Sequence, residues 1–250
     1  MKQAMIFAAG LGTRLRPLTD TRPKALVSVG GHPLLWHVLS KLSAAGYERV
    51  VVNVHHLADQ IEDYLRVNDF GLDVLVSDER TELLETGGGI KHARHFFDED
   101  SPVLIHNVDI LSNVDLDWFE RQLLSDEDAV LLVSRRQTKR YLLFDNAMRL
   151  MGWRNVETGE VKSPYEYVRL TGLSQHGEPF TELAFSGIHS ISPRMFRLMD
   201  RFPDRFSIID FYLQTCHRAH VYGCVKDDLR LMDVGKIETL DQAEAFLNEY

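Results

Sequence analysis

Cysteine is scarce in this chain, which contains two, Cys216 and Cys224, among 250 residues. Neither cysteine has partners at a spacing that is typical of a metal site. Two thiols in a chain of this length indicate a reducing compartment. We therefore expect a cytoplasmic protein without a cysteine-bound metal.

Long apolar runs are also missing. The apolar segment around Met5 is too short for a signal peptide, and no cleavage site follows it. No stretch reaches the roughly 18 apolar residues that a membrane-spanning helix needs. The sequence therefore predicts no membrane partner.

An excess of basic residues is absent as well, because 28 Lys and Arg against 37 Asp and Glu give a formal net charge of -9. Nucleic-acid-binding proteins usually present a basic face, so we expect no nucleic-acid partner. The acidic balance does not exclude a nucleotide substrate, because a divalent cation can offset phosphate charge locally.

What the chain does contain is an alternation of strand-like and helix-like segments, with 44% hydrophobic and 26% charged residues overall. Apolar, β-branched runs predict strands at residues 5–9, 49–54, 72–77, 102–107, 129–133, 221–225 and 231–234. Helical spacing predicts helices at residues 33–45, 57–66, 89–97, 193–200, 208–220 and 237–250. Continuous apolar strands between amphipathic helices are typical of an α/β protein with a parallel sheet covered on both faces.

The middle of the chain departs from this alternation. Shorter strand-like segments, separated by turn signals such as Asp145-Asn146 and His176-Gly177, lie at residues 141–144, 150–153, 167–173 and 183–191. We interpret residues 135–182 as an inserted β-hairpin region. Because the chain has neither a low-complexity linker nor a repeat of about 20–50 residues, we expect a single domain over residues 1–250.

A glycine-rich loop at residues 8–24 follows the first predicted strand. Gly10 and Gly12 allow a left-handed backbone and leave N–H groups unobstructed for a phosphate. Arg14 can give a phosphate two hydrogen bonds, and Lys24 adds a compact positive charge. The loop lacks the Gly-Lys-Ser/Thr ending of a P-loop and the third glycine of the dinucleotide fingerprint. It therefore predicts a phosphate site of another kind.

The run Gly10-Leu11-Gly12-Thr13-Arg14, with Pro17-Leu18-Thr19 and Pro23-Lys24, resembles the signature of the sugar-1-phosphate nucleotidyltransferases. The resemblance covers most of the chain and is weakest at residues 135–181. It implies a Rossmann-like three-layer sandwich with a mixed, mainly parallel sheet. It also implies a reaction in which a sugar 1-phosphate attacks the α-phosphate of a nucleoside triphosphate and releases pyrophosphate.

The same resemblance assigns roles within the loop. Arg14 and Lys24 would be the catalytic residues, Arg14 stabilising the triphosphate and the leaving pyrophosphate and Lys24 contacting phosphates at the reacting centre. The nucleotide would be bound by Ala8, Ala9, Gly10, Gly12 and Thr13.

Two aspartates, Asp109 and Asp233, follow or end predicted strands. Open α/β sheets bind ligands at the carboxyl ends of their strands, and Mg²⁺ is typically held by one or two carboxylates plus phosphates and waters. Both positions match the metal-binding aspartates of the family, so the resemblance implies Mg²⁺ at Asp109 and Asp233. Val108 stands where the family commonly has a smaller residue.

Three consecutive glycines follow Glu85-Thr86, and they would let the backbone approach a planar ligand or a phosphate closely. Read structurally, they form a strand-to-helix turn, whereas the resemblance implies that they border the nucleotide base. By resemblance, Glu85, Gly87, Gly88 and Asn107 would complete the nucleotide site. A glutamate before three glycines is most similar to the branch of the family that transfers a uridylyl group from UTP to N-acetylmuramate 1-phosphate, which implies a role in peptidoglycan recycling. Mannose- and heptose-1-phosphate guanylyltransferases share much of the pattern and stay an alternative.

The sugar would face the divergent middle of the chain. Asn155 can bond a sugar hydroxyl, and Trp153 can stack on a sugar ring. Glu182 and Gly187, just before and within the strand-like segment at 183–191, complete the predicted sugar site.

Two other classes of function remain to be weighed. A regulatory module that binds nucleotide sugars without catalysis could lose a catalytic cation or a metal aspartate, yet this chain keeps all four. A Rossmann-type oxidoreductase needs an acidic residue at the end of its second strand, and here Asn53 and His55 stand at that point. We therefore expect an enzyme, monomeric or homodimeric, whose partners are a nucleoside triphosphate and a sugar 1-phosphate.

Overall fold

The computed structural model describes residues 1–124 and 126–248. Its strands are β1 (Gln3–Phe7), β2 (Ser28–Val29), β3 (His32–Pro33), β4 (Arg49–Val54), β5 (Asp73–Asp78), β6 (Val103–Asn107), β7 (Ile110–Ser112), β8 (Ala129–Ser134), β9 (Arg140–Phe144), β10 (Leu150–Asn155), β11 (Val161–Lys162), β12 (Thr181–Ile191), β13 (Val221–Val225) and β14 (Leu231–Asp233). Its helices are α1 (Leu34–Ala44), α2 (Ala58–Val67), α3 (Glu85–Ala93), α4 (Leu116–Glu120), α5 (Glu166–Thr171), α6 (Pro193–Met199), α7 (Ile208–Thr215) and α8 (Leu240–Leu247). Short 3-10 helices lie at Thr13–Leu15, Leu18–Asp20, Lys24–Leu26, Arg94–Phe96 and Ile237–Thr239.

The main sheet is mixed. Its central strands β6, β1, β4 and β5 are all parallel, and β13 runs parallel to β8. Strand β12 is antiparallel to β6, β8 and β9, and it joins the parallel half to the hairpin strands β9, β10 and β11. The structure therefore confirms the mixed, mostly parallel sheet.

Apolar side chains cover both faces of this sheet because the buried central strands point alternate residues in opposite directions. On β1, Ile6 joins the cluster that packs against α1, α2, α4 and α8, whereas Met5 joins the cluster on α3, α6 and α7. The result is a layer of helices on each side of the sheet, as the three-layer prediction requires.

The carboxyl ends of the parallel strands meet at one edge of the sheet. β1 leads into the loop that begins at Ala8, β4 ends beyond Asn53, β5 is followed by Glu79, and β6 ends at Asn107. A parallel register pairs Phe7 with both Asn53 and Asn107, so these three positions lie side by side. This edge positions the candidate site.

Two predicted elements were wrong. Residues 167–173 were predicted to be strand-like, but α5 lies there, buried through Val168 and closed by Gly172 in a left-handed conformation (φ 67°). The helix predicted from Gly89 begins earlier, so Gly87 and Gly88, which were predicted to form a turn before it, lie inside α3, which begins at Glu85. In both segments packing against other parts of the chain overrides the local propensity.

Other predicted element boundaries differ less from those in the structure. The helix predicted at residues 208–220 ends earlier, with α7 at Thr215. The last predicted helix becomes a 3-10 turn followed by α8, and its final two predicted residues lie outside the described ranges. In the described part of the chain, no helix is long and apolar enough to cross a membrane.

Candidate active site

A cavity of about 410 Å³ opens at the carboxyl edge of the parallel strands. Its walls come from the loop after β1, the ends of β4, β5 and β6, the start of α3 and the start of α7. The lining residues are Phe7, Ala8, Ala9, Gly10, Lys24, Asn53, Glu79, Leu83, Glu85, Thr86, Asn107, Val108, Asp109 and Ser207. Seven of the residues predicted from the sequence are among them: Ala8, Ala9, Gly10, Lys24, Glu85, Asn107 and Asp109.

The loop after β1 is held in shape by Gly12. Its left-handed backbone (φ 62°) suits glycine, and a Cβ there would lie 2.9 Å from the Thr19 side chain and 3.1 Å from Lys24 Cβ. The Gly12 carbonyl accepts hydrogen bonds from Thr19 Oγ1 and from the backbone N–H of Leu15, each at 2.8 Å. Gly12 therefore sets the path that brings Lys24 to the cavity, and it does not itself line the cavity.

Asn53 and Glu79 form the buried floor at the ends of β4 and β5. Asn53 Oδ1 accepts from the backbone N–H groups of Ala8 at 2.8 Å and Ala9 at 3.3 Å. Asn53 Nδ2 donates to Glu79 Oε1 at 2.7 Å, and the Leu84 N–H donates to Glu79 Oε2 at 3.2 Å. Burial raises the pKa of Glu79 above its ordinary value, although these hydrogen bonds oppose the shift.

The predicted metal ligands and the predicted catalytic lysine converge. Lys24 forms an ion pair with Asp109, and both side chains are largely shielded from solvent. Strand β14 pairs antiparallel with β7 so that Asp233 lies opposite Ile110, and the Val234 N–H donates to the Asp109 carbonyl at 2.8 Å. Two carboxylates separated by more than 100 residues in sequence are thus neighbours.

The charges in this cluster act on one another. Burial first, and the charge of Asp109 second, raise the pKa of Asp233 above its ordinary value. The charges of Lys24, Arg14 and Arg136 oppose that shift in the pKa of Asp233. Among the described residues no group of three or more His, Cys, Asp or Glu side chains could hold a metal ion. A pair of carboxylates nevertheless suits Mg²⁺, which completes its shell with phosphate oxygens and waters.

Arg14 lies beside this pair, outside the cavity wall. It belongs to the 3-10 helix at Thr13–Leu15, and both it and Thr13 are exposed. Gly235 makes room for it, because a Cβ there would lie 2.6 Å from Arg14 Nη2 and 2.6 Å from Asp233 Oδ1. The structure therefore brings Arg14 to the carboxylates, and Thr13 to the adjacent surface.

The start of α3 forms one rim of the cavity. Glu85 has a left-handed backbone (φ 61°), which costs a non-glycine residue on the order of 1–3 kcal/mol. Gly87 and Gly88 face away from the cavity and pack on the segment before α7: both N–H groups donate to the Phe206 carbonyl, at 2.9 and 3.1 Å. The structure therefore places these two glycines in helix packing, and neither is among the residues that line the cavity.

A second cavity of about 500 Å³ adjoins the first, and Ser207 lines both. Asn155 lines this second cavity, as does Trp153. Glu182 instead forms an ion pair with Arg154 at 3.0 Å and lines neither cavity. Gly187 is buried in β12 with φ 74°, and a Cβ there would lie 2.8 Å from Asn107 Nδ2. Of the three predicted sugar-binding residues, Asn155 alone reaches a cavity.

Sequence reasoning missed Asn53, Glu79 and Arg136 as site residues. Asn53 and Glu79 were recognisable as polar side chains where strands end, at the same edge as Asp109. No sequence pattern indicated Arg136, because the loop between β8 and β9 comes within electrostatic range of Asp233 only in the folded chain.

The sequence was compared with known families and proteins. The family described as "Nucleotidyl transferase" matches residues 3–141. N-acetylmuramate alpha-1-phosphate uridylyltransferase of Caulobacter vibrioides is 34% identical over 253 residues, which cover 99% of this chain and 98% of that protein. The protein of the same name from Neisseria meningitidis serogroup B is 44% identical over 115 residues, covering 45% of this chain and 49% of that protein.

Solved structures agree in fold. HddC from Yersinia pseudotuberculosis, complexed with GMP-PN, superposes with a TM-score of 0.76 at 23% identity, covering 99% of this chain and 100% of that chain. A putative glucose-1-phosphate thymidylyltransferase from Bacillus anthracis gives a TM-score of 0.79 at 16% identity, covering 100% of this chain and 96% of that chain. At these identities the likeness concerns the fold.

Proposed function

Because the chain belongs to the nucleotidyl transferase family, we propose that it transfers a uridylyl group from UTP to N-acetylmuramate 1-phosphate. Its relatives are sugar-1-phosphate nucleotidyltransferases, so the class of reaction follows from the family. The finer assignment rests on one observation: Lys24, Asp109 and Asp233 meet at the mouth of a cavity, in a chain 34% identical over 253 residues to a protein of that activity. Such a reaction would serve the recycling of peptidoglycan sugars in the cytoplasm.

The nucleotide would lie across the carboxyl edge of the sheet. In the described protein, the backbone N–H groups of Gly10, Leu11 and Gly12 donate to no protein acceptor, which leaves them free for phosphate oxygens. The nucleoside would occupy the cavity along Ala8 and Ala9, whose own N–H groups are already bonded to Asn53. The triphosphate would then extend past Lys24 toward Arg14.

The reaction is a single displacement. A phosphate oxygen of the sugar 1-phosphate forms a bond to the α-phosphorus as the bond from that phosphorus to the bridging oxygen of pyrophosphate breaks. No base is needed, because the attacking oxygen is already ionised. Lys24 holds the phosphate at the reacting centre and Arg14 stabilises the charge of the departing pyrophosphate, so positioning and charge neutralisation supply the rate enhancement.

Asp109 and Asp233 would hold the Mg²⁺ ion. The fit is chemical: two adjacent carboxylates whose mutual repulsion favours a divalent cation between them. Bound there, the ion would offset the negative charge of the triphosphate. Around it, Lys24 and Arg14 align the phosphates, and the buried floor made by Asn53 and Glu79 fixes the end of β1.

The test measures pyrophosphate release from all four nucleoside triphosphates, each crossed with the 1-phosphates of N-acetylmuramate, N-acetylglucosamine, glucose, mannose and heptose. We expect the highest kcat/KM with UTP and N-acetylmuramate 1-phosphate. A preference for GTP with mannose or heptose 1-phosphate would instead assign the guanylyltransferase alternative. Binding of nucleotide sugars without turnover would favour a regulatory module.

Replacing the metal ligands tests the second part of the proposal. Asp109→Asn and Asp233→Asn should each lower kcat on the order of 10²-fold or more, because each removes a fixed charge from the reacting centre. Asp63→Asn is the matched control, since Asp63 pairs with Arg66 on the exposed surface of α2. Chelation with EDTA should abolish turnover and Mg²⁺ should restore it. Full activity in EDTA would overturn the assignment of Mg²⁺ to these aspartates.

A further inference from the structure

The second cavity is lined by three cations, Arg136, Arg140 and Lys162, and by two carboxylates, Glu160 and Asp210. It is bounded by the hairpin strands β9, β10 and β11 on one side and by the first half of α7 on the other. Ser207, next to the start of α7, lines both this cavity and the nucleotide cavity, so the two spaces are adjacent. A sugar whose phosphate reacts at Lys24 would extend into this second space.

The strand register puts the cavity residues on one face of the hairpin sheet. Arg140 lies directly opposite Asn155, and Leu142 lies opposite Trp153. Alternate residues of a strand share a face, so these four side chains form a continuous floor. Trp153 is also opposite Lys162 of β11, whose ammonium group lies 5.3 Å from the centre of the indole ring.

The opposite face of the same sheet is already neutralised. There Arg154 lies opposite Tyr141 and forms its ion pair with Glu182 at 3.0 Å. Because Glu182 lies on that opposite face, no carboxylate from β10 or β12 is available to pair with Arg140 on the cavity side.

Three cations line the cavity, and they differ in how they are paired. Lys162 lies 3.4 Å from the Asp210 carboxylate. Arg136 donates one hydrogen bond to the Phe185 carbonyl at 3.0 Å. The guanidinium of Arg140 has no hydrogen-bond or ion-pair partner in the part of the chain that the structure describes. The remaining charged lining residue, Glu160, is exposed and carries the only other negative charge among the described lining residues.

Arg136 and Arg140, which have no ion-pair partner among the described residues, occupy different parts of the space. Arg136 is close enough to Asp233 to influence its ionisation, so it lies toward the reacting centre, where the 1-phosphate of the sugar must be. Arg140 starts β9 and is fixed opposite Asn155, on the floor under the sugar ring. One arginine therefore serves the phosphate, and the second meets whatever the sugar presents at its other end.

We propose that Arg140 binds a carboxylate on the sugar, and that this guanidinium on the floor of the second cavity selects a carboxylated sugar 1-phosphate over its neutral counterpart. The inference rests on the proposed function and adds a specificity-determining residue to it. Arg140 is exposed at the edge of the cavity and therefore accessible to a substrate. A planar guanidinium can give a carboxylate two parallel hydrogen bonds, whereas a neutral sugar offers it no opposite charge. Trp153 would pack against the sugar ring beside it.

The matching pair of substrates differs by this one group. N-acetylmuramate 1-phosphate carries a carboxylate on an ether-linked lactyl group, and N-acetylglucosamine 1-phosphate has a hydroxyl at the same carbon. We expect the unaltered protein to prefer the former in kcat/KM by at least about tenfold, since a hydrogen bond to a charged group contributes a factor of that order. Arg140→Gln should lower this preference on the order of 10- to 100-fold, mostly through KM for the carboxylated substrate. Arg140→Lys keeps the charge but loses the paired hydrogen-bond geometry, so its preference should lie between those of the unaltered protein and Arg140→Gln.

Two further variants separate the roles. Arg136→Gln should lower kcat/KM for both sugar 1-phosphates by the same factor, because both carry the 1-phosphate. The ratio of the two kcat/KM values should therefore stay unchanged. Arg135→Gln is the matched control, since Arg135 is an exposed arginine on the same segment that does not line the cavity. It should leave both activities and their ratio as they are.

The outcomes are distinguishable. Absence of turnover with every sugar 1-phosphate would overturn the proposed function and this inference together. A preference for N-acetylmuramate 1-phosphate that is unchanged in Arg140→Gln would overturn the inference and leave the proposed function standing. Turnover with equal kcat/KM for the two sugars would overturn the inference and the choice of N-acetylmuramate 1-phosphate, and it would leave only the class of reaction. A ratio that collapses in Arg140→Gln and persists in Arg136→Gln would support both.

Discussion

Asn53 connects three neighbouring strands through a single buried side chain. It accepts hydrogen bonds from Ala8 and Ala9 after β1, and it donates to Glu79 after β5. The side chain is 3% exposed, so none of these groups has water as a substitute. A buried group that loses its partner pays its full desolvation penalty, which makes this amide a structural requirement of the cavity floor.

Asn53→Ala tests this role. It should lower the free energy of unfolding by about 2–4 kcal/mol, because it leaves the buried Ala8 N–H without a partner and removes one of the two hydrogen bonds to the Glu79 carboxylate. Urea denaturation at neutral pH gives the value. Asn146→Ala is the control, since Asn146 makes one exposed hydrogen bond to Glu178 and should cost no more than about 0.5 kcal/mol. Equal costs for the two variants would contradict the buried network.

At the scale of single elements, α3 shows how glycine can serve packing. A Cβ on Gly88 would lie 2.1 Å from the Asp204 carbonyl oxygen, and one on Gly87 would lie 2.3 Å from the Phe206 ring. The axis of α3 therefore approaches the segment before α7 more closely than any larger residue allows. This contact sets the position of Glu85 and Thr86 at the rim of the nucleotide cavity.

Gly88→Ala should lower the free energy of unfolding by about 3 kcal/mol, because the added methyl group meets backbone that has little room to move. Denaturant unfolding of the variant measures this cost. Gly10→Ala is the matched control for stability, since a Cβ at Gly10 would meet nothing within 4 Å. If Gly88→Ala is as stable as Gly10→Ala, the close approach of α3 is not required.

At the scale of the whole molecule, two buried histidines link stability to pH. His106 on β6 and His189 on β12 lie on neighbouring strands of the main sheet. Burial is the main cause that lowers the pKa of His106 to about 4 and that of His189 to about 3. His189 Nδ1 lies 2.6 Å from the Tyr212 hydroxyl, so the sheet holds it to α7 as a neutral ring.

The sign of the pH effect follows from these values. Both folded pKa values lie below the unfolded value of about 6.5, so the unfolded chain binds more protons and stability falls as the pH falls from about 6.5 toward 4. From pH 7 to pH 5 each histidine should remove about 2 kcal/mol from the free energy of unfolding, measured by urea denaturation at the two pH values.

The difference in the free energy of unfolding between pH 7 and pH 5 separates the titration of the histidines from other effects of a substitution. His189→Gln should reduce that difference, whatever its cost at neutral pH. His176→Gln, at an exposed position, should leave it unchanged. A difference that is the same in His189→Gln as in the unaltered protein would show that His189 does not titrate with unfolding.

Local pattern was enough for the parallel half of the fold. The apolar runs that became β1, β4, β5 and β6 were visible because a strand buried on both faces must be apolar along its whole length. The same reasoning placed Asp109 close to the end of β6, which the structure ends at Asn107, and the run from Gly10 to Lys24 predicted a phosphate loop. These features depend on neighbours in sequence.

The hairpin region could not be predicted to the same depth. Residues 167–173 contain Val168 and Tyr167, which favour strands, yet they form α5 because Val168 is buried there and Gly172 ends the helix. Glu182 was expected at the sugar and instead pairs with Arg154 on the other face, because strand register decides which face a residue occupies. A shift of one residue in strand register moves a side chain to the other face of the sheet. Short hairpin strands contain too few alternating apolar and polar residues to predict that register from sequence.

The sequence by itself determined the family and a mostly parallel α/β fold, and it predicted the loop from Gly10 to Lys24 and the two aspartates as site residues. Only the tertiary structure decided which of them meet. Asp233 comes near Asp109 through the pairing of β14 with β7. Arg136, in the loop after β8, acts electrostatically on Asp233, and Arg140 lines the second cavity without an ion-pair partner among the described residues. The physical reason is that sheet register and helix packing act between residues far apart in the chain, and these long-range contacts have no signature in any short stretch of sequence.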